Sequence, residues 1–171
     1  MHNLSLIQES FMKSLGAYFL VMVFILSGAG CAGAQESPLM GKKAPDFTLE
    51  RLSGKSASLS ELIKDKKAIL FFFATWCPHC RSQLKEIAAR KADFDKDGIV
   101  VALVDIGEPK NKVAEFLKTH GMDNDVFLDS QSFVSETYQV LGVPTLVFIG
   151  SDGRVRLVEY GLPDDYQQIL K

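Results

Sequence analysis

Metal-ligating side chains are few in this chain. Beyond Cys77 and Cys80, its 171 residues hold one further cysteine, Cys31, and three histidines, none in a second paired cluster. That falls short of the roughly four ligands of a zinc site, so no metal is expected. Arg81 stands where covalent haem attachment needs a histidine after the second cysteine, and haem is excluded. Charge of one sign is also lacking. The 19 basic and 21 acidic residues leave a net charge of −2, and there is no basic stripe or phosphate-cradling glycine loop, which excludes a nucleic-acid partner. No repeat or internal linker divides the chain after its first segment.

That first segment is distinctive. Leu15 to Leu26 is continuously apolar and is followed by Ser27-Gly28-Ala29-Gly30-Cys31-Ala32-Gly33-Ala34, with no charge between Lys13 and Glu36. It reads as an export signal, with translation expected to begin at Met12. Gly28-Ala29-Gly30-Cys31 resembles a lipoprotein processing box, although Gly28 stands where that box prefers a leucine-like residue. Ala32-Gly33-Ala34 fits ordinary cleavage, and the uncharged stretch, left uncut, is about long enough to span a bilayer. Lipidation at Cys31 is the favoured fate, because an unpaired thiol in an exported chain is a liability. All three fates put the remainder outside the cytoplasm, where disulfides persist. Residues 1–34 are thus read as a signal or a membrane or lipid anchor, 35–43 as a short tether, and 44–171 as one domain with no cofactor.

The chemistry lies in Trp76-Cys77-Pro78-His79-Cys80, where the apolar run Ala68 to Ala74 gives way to a helical pattern. A cysteine at a helix N-terminus faces unpaired N–H groups and the positive end of the helix dipole, which favour thiolate. Cys77 is therefore the candidate nucleophile and Cys80, one turn on, the resolving thiol. A purely structural disulfide here would close almost no loop and restrict the unfolded chain little. A copper(I) carrier is the alternative from another class, since thiolates suit that ion, but no methionine cluster or third ligand at convincing spacing accompanies the pair.

Periodicity predicts the rest. Ala44 to Glu50 alternates as a strand, Gly54 to Ser58 turns back, and Ser60 caps a short helix to Ile63. Ala68 to Ala74 and Ile99 to Val104 read as buried strands joined by a helix from Cys77 to the Asp95-Lys96-Asp97-Gly98 turn, a parallel right-handed unit. Lys110 to His120 is a helix stopped by Gly121, with His120 serving its end. Val126 to Leu128 is a strand, Ser132 to Tyr138 a helix, and Pro144 to Phe148 a core strand. A turn at Ser151-Asp152-Gly153 leads to Arg154 to Tyr160, and Pro163 opens the last helix. The pattern implies an α/β fold with a central mixed sheet covered on both faces.

A buried strand entering Trp-Cys-x-x-Cys, followed by Gly142-Val143-Pro144-Thr145 and an apolar strand, resembles the thioredoxin fold. The opening Ala44-Pro45-Asp46-Phe47-Thr48-Leu49 and the added helix and strand from Lys110 to Leu128 are similar to the TlpA/ResA group of membrane-tethered extracytoplasmic thioredoxins. The resemblance implies a cis Val143–Pro144 bond beside the dithiol, with Val143 offering its backbone to an extended substrate and Trp76 forming a docking edge. Peroxiredoxins share the opening pattern, but their peroxidatic cysteine follows a threonine by three residues and a proline by seven, unlike Thr75 and Leu70 here.

Two departures stand out. Thioredoxins carry a buried acid where this chain has Phe71, so proton management falls to water or to another acid such as Glu86 or Glu108, both otherwise read as solvated surface charge. Pro78-His79 is the dipeptide of the oxidant DsbA, whose potential differs from thioredoxin's by roughly 150 mV, about 7 kcal/mol for two electrons. His79 near Cys77 would stabilise the thiolate and strengthen the disulfide as an oxidant. The expected activity is exchange with protein thiols and disulfides, in the reducing direction and recharged by a membrane electron donor, for instance in cytochrome c maturation. A disulfide-introducing oxidant is the alternative within the same chemistry.

Overall fold

The computed structural model describes residues 37–171; Cys31 and the expected signal or anchor lie outside them. Three parallel strands, β3 (Lys67–Phe73), β4 (Ile99–Ile106) and β5 (Val126–Asp129), join antiparallel β6 (Thr145–Ile149) and β7 (Val155–Glu159) in the order β5-β4-β3-β6-β7. Strand β3 is the central one and reads as an unbroken apolar run because helices cover both faces of the sheet. On one face Ile69, Phe71, Phe73 and Leu103 pack with Cys80, Leu84 and Ile87 of α2 (Pro78–Ala89), Val113 and Leu117 of α4 (Lys110–Thr119), and Tyr166 of α6 (Tyr166–Ile169). On the other, Leu70, Phe72, Val104 and Val147 pack with Leu59 of α1 (Leu59–Ile63), Val134 of α5 (Phe133–Thr137), Phe47 and Tyr138.

Several boundaries differ from the periodicity reading. The opening strand shrinks to β1 (Thr48–Glu50), paired with β2 (Ser56–Ser58), because Pro45 lacks a donor and the Phe47 carbonyl accepts from Leu59 N–H instead. Helix α1 is capped by Ser58, not Ser60. Ser58 Oγ accepts from Glu61 N–H at 3.1 Å while Glu61 Oε2 accepts from Ser58 N–H at 3.0 Å, a reciprocal box, and Ser60 N–H goes to Asp46. The helix after Cys77 breaks at Arg90, and α3 (Lys91–Lys96) turns Phe94 inward against Tyr166.

Residues 37–43 of the expected tether lie against the domain. Leu39 is buried in the second core, Gly41 N–H donates to Val155 O, and Val155 N–H donates to Lys42 O, both at 2.9 Å. Residues 37–43 thus cover part of the β7 edge, which would otherwise show unpaired backbone groups. The compact unit begins at Ser37 rather than Ala44.

Candidate active site

Strand β3 ends at Phe73, and Ala74, Thr75 and Trp76 turn the chain into α2. Pro78 occupies the first turn of α2, where its missing N–H leaves no bond unmade, so Cys77 becomes the N-cap. Its Sγ accepts from Cys80 N–H at 3.1 Å, the capping contact that favours a thiolate. Cys77 and Cys80 form a disulfide with Cα atoms 5.3 Å apart, an ordinary separation. Cys77 is 3% exposed and Cys80 fully buried, so only the first sulfur borders the surface.

Opposite the disulfide lies the loop before β6. Val143–Pro144 is cis, and the Val143 carbonyl oxygen is 3.6 Å from Cys77 Sγ. Thr145 Oγ1 donates to Gly142 O at 2.6 Å and stiffens this turn. Trp76 is 67% exposed and Leu141 90% exposed, and between them a groove of about 270 Å³ is lined by Ala74, Ile106, Val140 and Val143. Large exposed apolar side chains gathered beside a dithiol mark a contact surface. Pro78 and His79 are exposed on the first turn of α2. The structure therefore brings Trp76, Cys77, Cys80, Val143 and Pro144 together, and sets His79 on the solvent side.

Glu108 and Asp105 depart from the sequence reading, whereas Glu86 accords with it. Glu86 stays at the surface, paired with Arg90 at 2.9 Å. Glu108, read as solvated, is 4% exposed. It accepts from Thr75 N–H at 2.6 Å and Thr75 Oγ1 at 2.8 Å, and pairs with Lys112 at 2.6 Å. Burial works against its charge, but Lys112 and Thr75 outweigh that and hold its carboxyl below the usual range. These bonds fix the turn that presents Cys77. Asp105, which the sequence reading left beyond the strand ending at Val104, lies within β4 and is fully buried. Burial, reinforced by Glu108, pushes its carboxyl up to about 8. The available signal was a lone acid closing an apolar run. His120 ends α4 as expected, with Nδ1 2.8 Å from Phe116 O.

A dithiol at a helix N-terminus, facing a cis-proline loop on a five-stranded mixed sheet, defines the class: a thioredoxin-fold thiol-disulfide oxidoreductase. Residues 40–158 match the AhpC/TSA family, and the chain belongs to that family. It is 34% identical over 142 residues to thiol-disulfide oxidoreductase ResA of Bacillus subtilis (strain 168), covering 80% of this chain and 79% of ResA. ResA of Geobacillus thermodenitrificans is 30% identical over 134 residues, covering 77% and 76%. Among solved structures, a thiol:disulfide interchange protein of the thioredoxin family from Chlorobium tepidum TLS is 27% identical with a TM-score of 0.63, covering 81% of this chain and 97% of that one.

Proposed function

We propose that Cys77 and Cys80 exchange thiols and disulfides with protein substrates outside the cytoplasm, in the direction of substrate reduction. The observation that carries this reading is the position of Cys77 Sγ, at the tip of α2, 3.6 Å from the Val143 carbonyl and beside the Trp76–Leu141 groove. The Cys77 thiolate attacks one sulfur of a substrate disulfide, whose other sulfur leaves with the electron pair and takes a proton. Cys80 then loses its proton and attacks Cys77 Sγ. The mixed bond breaks, the second substrate sulfur leaves, and the Cys77–Cys80 disulfide forms. Two electrons have passed to the substrate, and a donor dithiol must return two.

Val143 and Pro144 hold the substrate backbone, Trp76 packs on its flank, and Pro78 and His79 tune the thiolate. A donor in the membrane and tethering through Cys31 complete the proposal. The relatives' printed name, thiol-disulfide oxidoreductase, supports the chemistry, and reduction during cytochrome c maturation is the role the family resemblance suggests. The full chain carrying Cys80→Ser is the test: it should accumulate mixed disulfides through Cys77 that dithiothreitol releases. Absence of any adduct, or stoichiometric copper(I) binding by the native dithiol without disulfide turnover, overturns the reading.

A further inference from the structure

The exchange mechanism leaves open where the Cys80 proton goes. Cys80 is fully buried, so bulk water does not reach its sulfur directly. Three acids are buried among the described residues: Asp105, Glu108 and Asp129. Asp129 is committed to Val134 N–H at 3.2 Å and Ser135 N–H at 2.8 Å. Glu108 is committed to Thr75 and Lys112. Asp105 is fully buried, and beyond the neighbouring Glu108 its oxygens have no hydrogen-bond partner.

Alternation along β4 sets Asp105 on the same face as Ile99 and Leu103, the face that carries Cys77 and Cys80. Its register partners are apolar, Phe73 in β3 and Leu128 in β5. The charged or titratable groups facing it are Glu108 from the loop after β4 and, beyond Glu108, Lys112 of α4; α2 contributes Cys77 and Cys80 to that face. A buried carboxylate without donors is costly. A neutral acid in the same place has one O–H to give, and the Glu108 carboxylate lies beside it to accept.

We propose that Asp105 and Glu108 share one proton on the dithiol side of the sheet, and that Asp105 is the group that exchanges this proton with Cys80. When a donor thiolate attacks Cys77 Sγ, the disulfide breaks and its electron pair goes to Cys80 Sγ. The Asp105 carboxyl protonates that sulfur and becomes a carboxylate. During substrate reduction the carboxylate takes the proton back, freeing the Cys80 thiolate to resolve the mixed disulfide. A carboxyl titrating near 8 is matched to a thiol whose ordinary pKa is about 8.5.

The proposal rests on Cys77 being the attacked sulfur. The test is the rate of Cys77–Cys80 opening by dithiothreitol in the full chain, followed by Trp76 fluorescence from pH 6 to 10 and divided by the reductant's thiolate concentration. The native rate should be level below about pH 8 and fall about tenfold per unit above it. Asp105→Asn should lower the level about tenfold and remove the break. Glu108→Gln removes the negative neighbour and should move the break to lower pH. If Asp105→Asn does not fold, the Glu108→Gln profile decides. An Asp105→Asn profile like the native one, or a break unmoved in Glu108→Gln, overturns this proposal alone. A disulfide that dithiothreitol does not open at any pH overturns the exchange reading, and this proposal with it.

Discussion

Replacing Asp105 with asparagine should remove a pH dependence of stability. Burial raises this carboxyl from 3.8 to about 8 in the folded chain, so the folded state binds its proton more tightly than the unfolded state does. The resulting stabilisation is complete below about pH 4, where both states are protonated, and is lost as pH rises to about 8. Each pH unit inside that window removes at most about 1.4 kcal/mol, so the oxidised native protein should lose about 2–3 kcal/mol between pH 5 and 7. Other shifted groups do not interfere. Asp46, Glu61, Glu108 and Asp152 are lowered, so their contributions are already complete above pH 5, and Tyr138 and Tyr166 are raised from a range well above 8. Urea unfolding at pH 5, 6, 7 and 8 reads the effect. With a slope of about 1–3 kcal/mol per molar, the native midpoint should fall by roughly 0.5–1.4 M per pH unit, while that of Asp105→Asn stays level. A level native midpoint, or parallel slopes for the two proteins, would refute the reasoning.

Trp76→Ala should change stability by less than about 0.5 kcal/mol, since the ring is largely exposed. Combined with Cys80→Ser it should still weaken substrate trapping about tenfold, the equivalent of a 1.4 kcal/mol contact; equal trapping with and without the ring rejects Trp76 as a docking edge. Tyr138→Phe should cost about 1–2 kcal/mol, because Tyr138 Oη donates to Pro45 O at 2.6 Å in a buried site. An unmoved urea midpoint would show that this bond contributes nothing.

The dithiol and the sheet were legible because they rest on local signals: a spacing of two cysteines, and apolar runs long enough to be buried strands. The Gly142-Val143-Pro144 loop was legible only through resemblance, since no local rule brings it to Cys77 from 66 residues away. Asp105 was missed, and Glu108, although named as a candidate acid, was read as solvated, because burial of a charge is a property of register. Nothing in Val-Asp-Ile-Gly-Glu says which acid faces helix α2 and which meets Thr75. Leu39 was missed for a related reason, as a single apolar residue in a polar stretch acquires a role only once β7 offers it a place.

The sheet separates two interiors, and the cysteines lie in only one of them. Side chains deep in the other, such as Phe47, Leu59 and Tyr138, are free to drift, or to be redesigned for thermal endurance, without altering the medium around the thiol, as long as Ile106 and Val140, which that layer lends to the groove, keep their places. The layer shared with Cys80 has no such freedom, because each change there alters both the packing and the medium in which the thiol ionises.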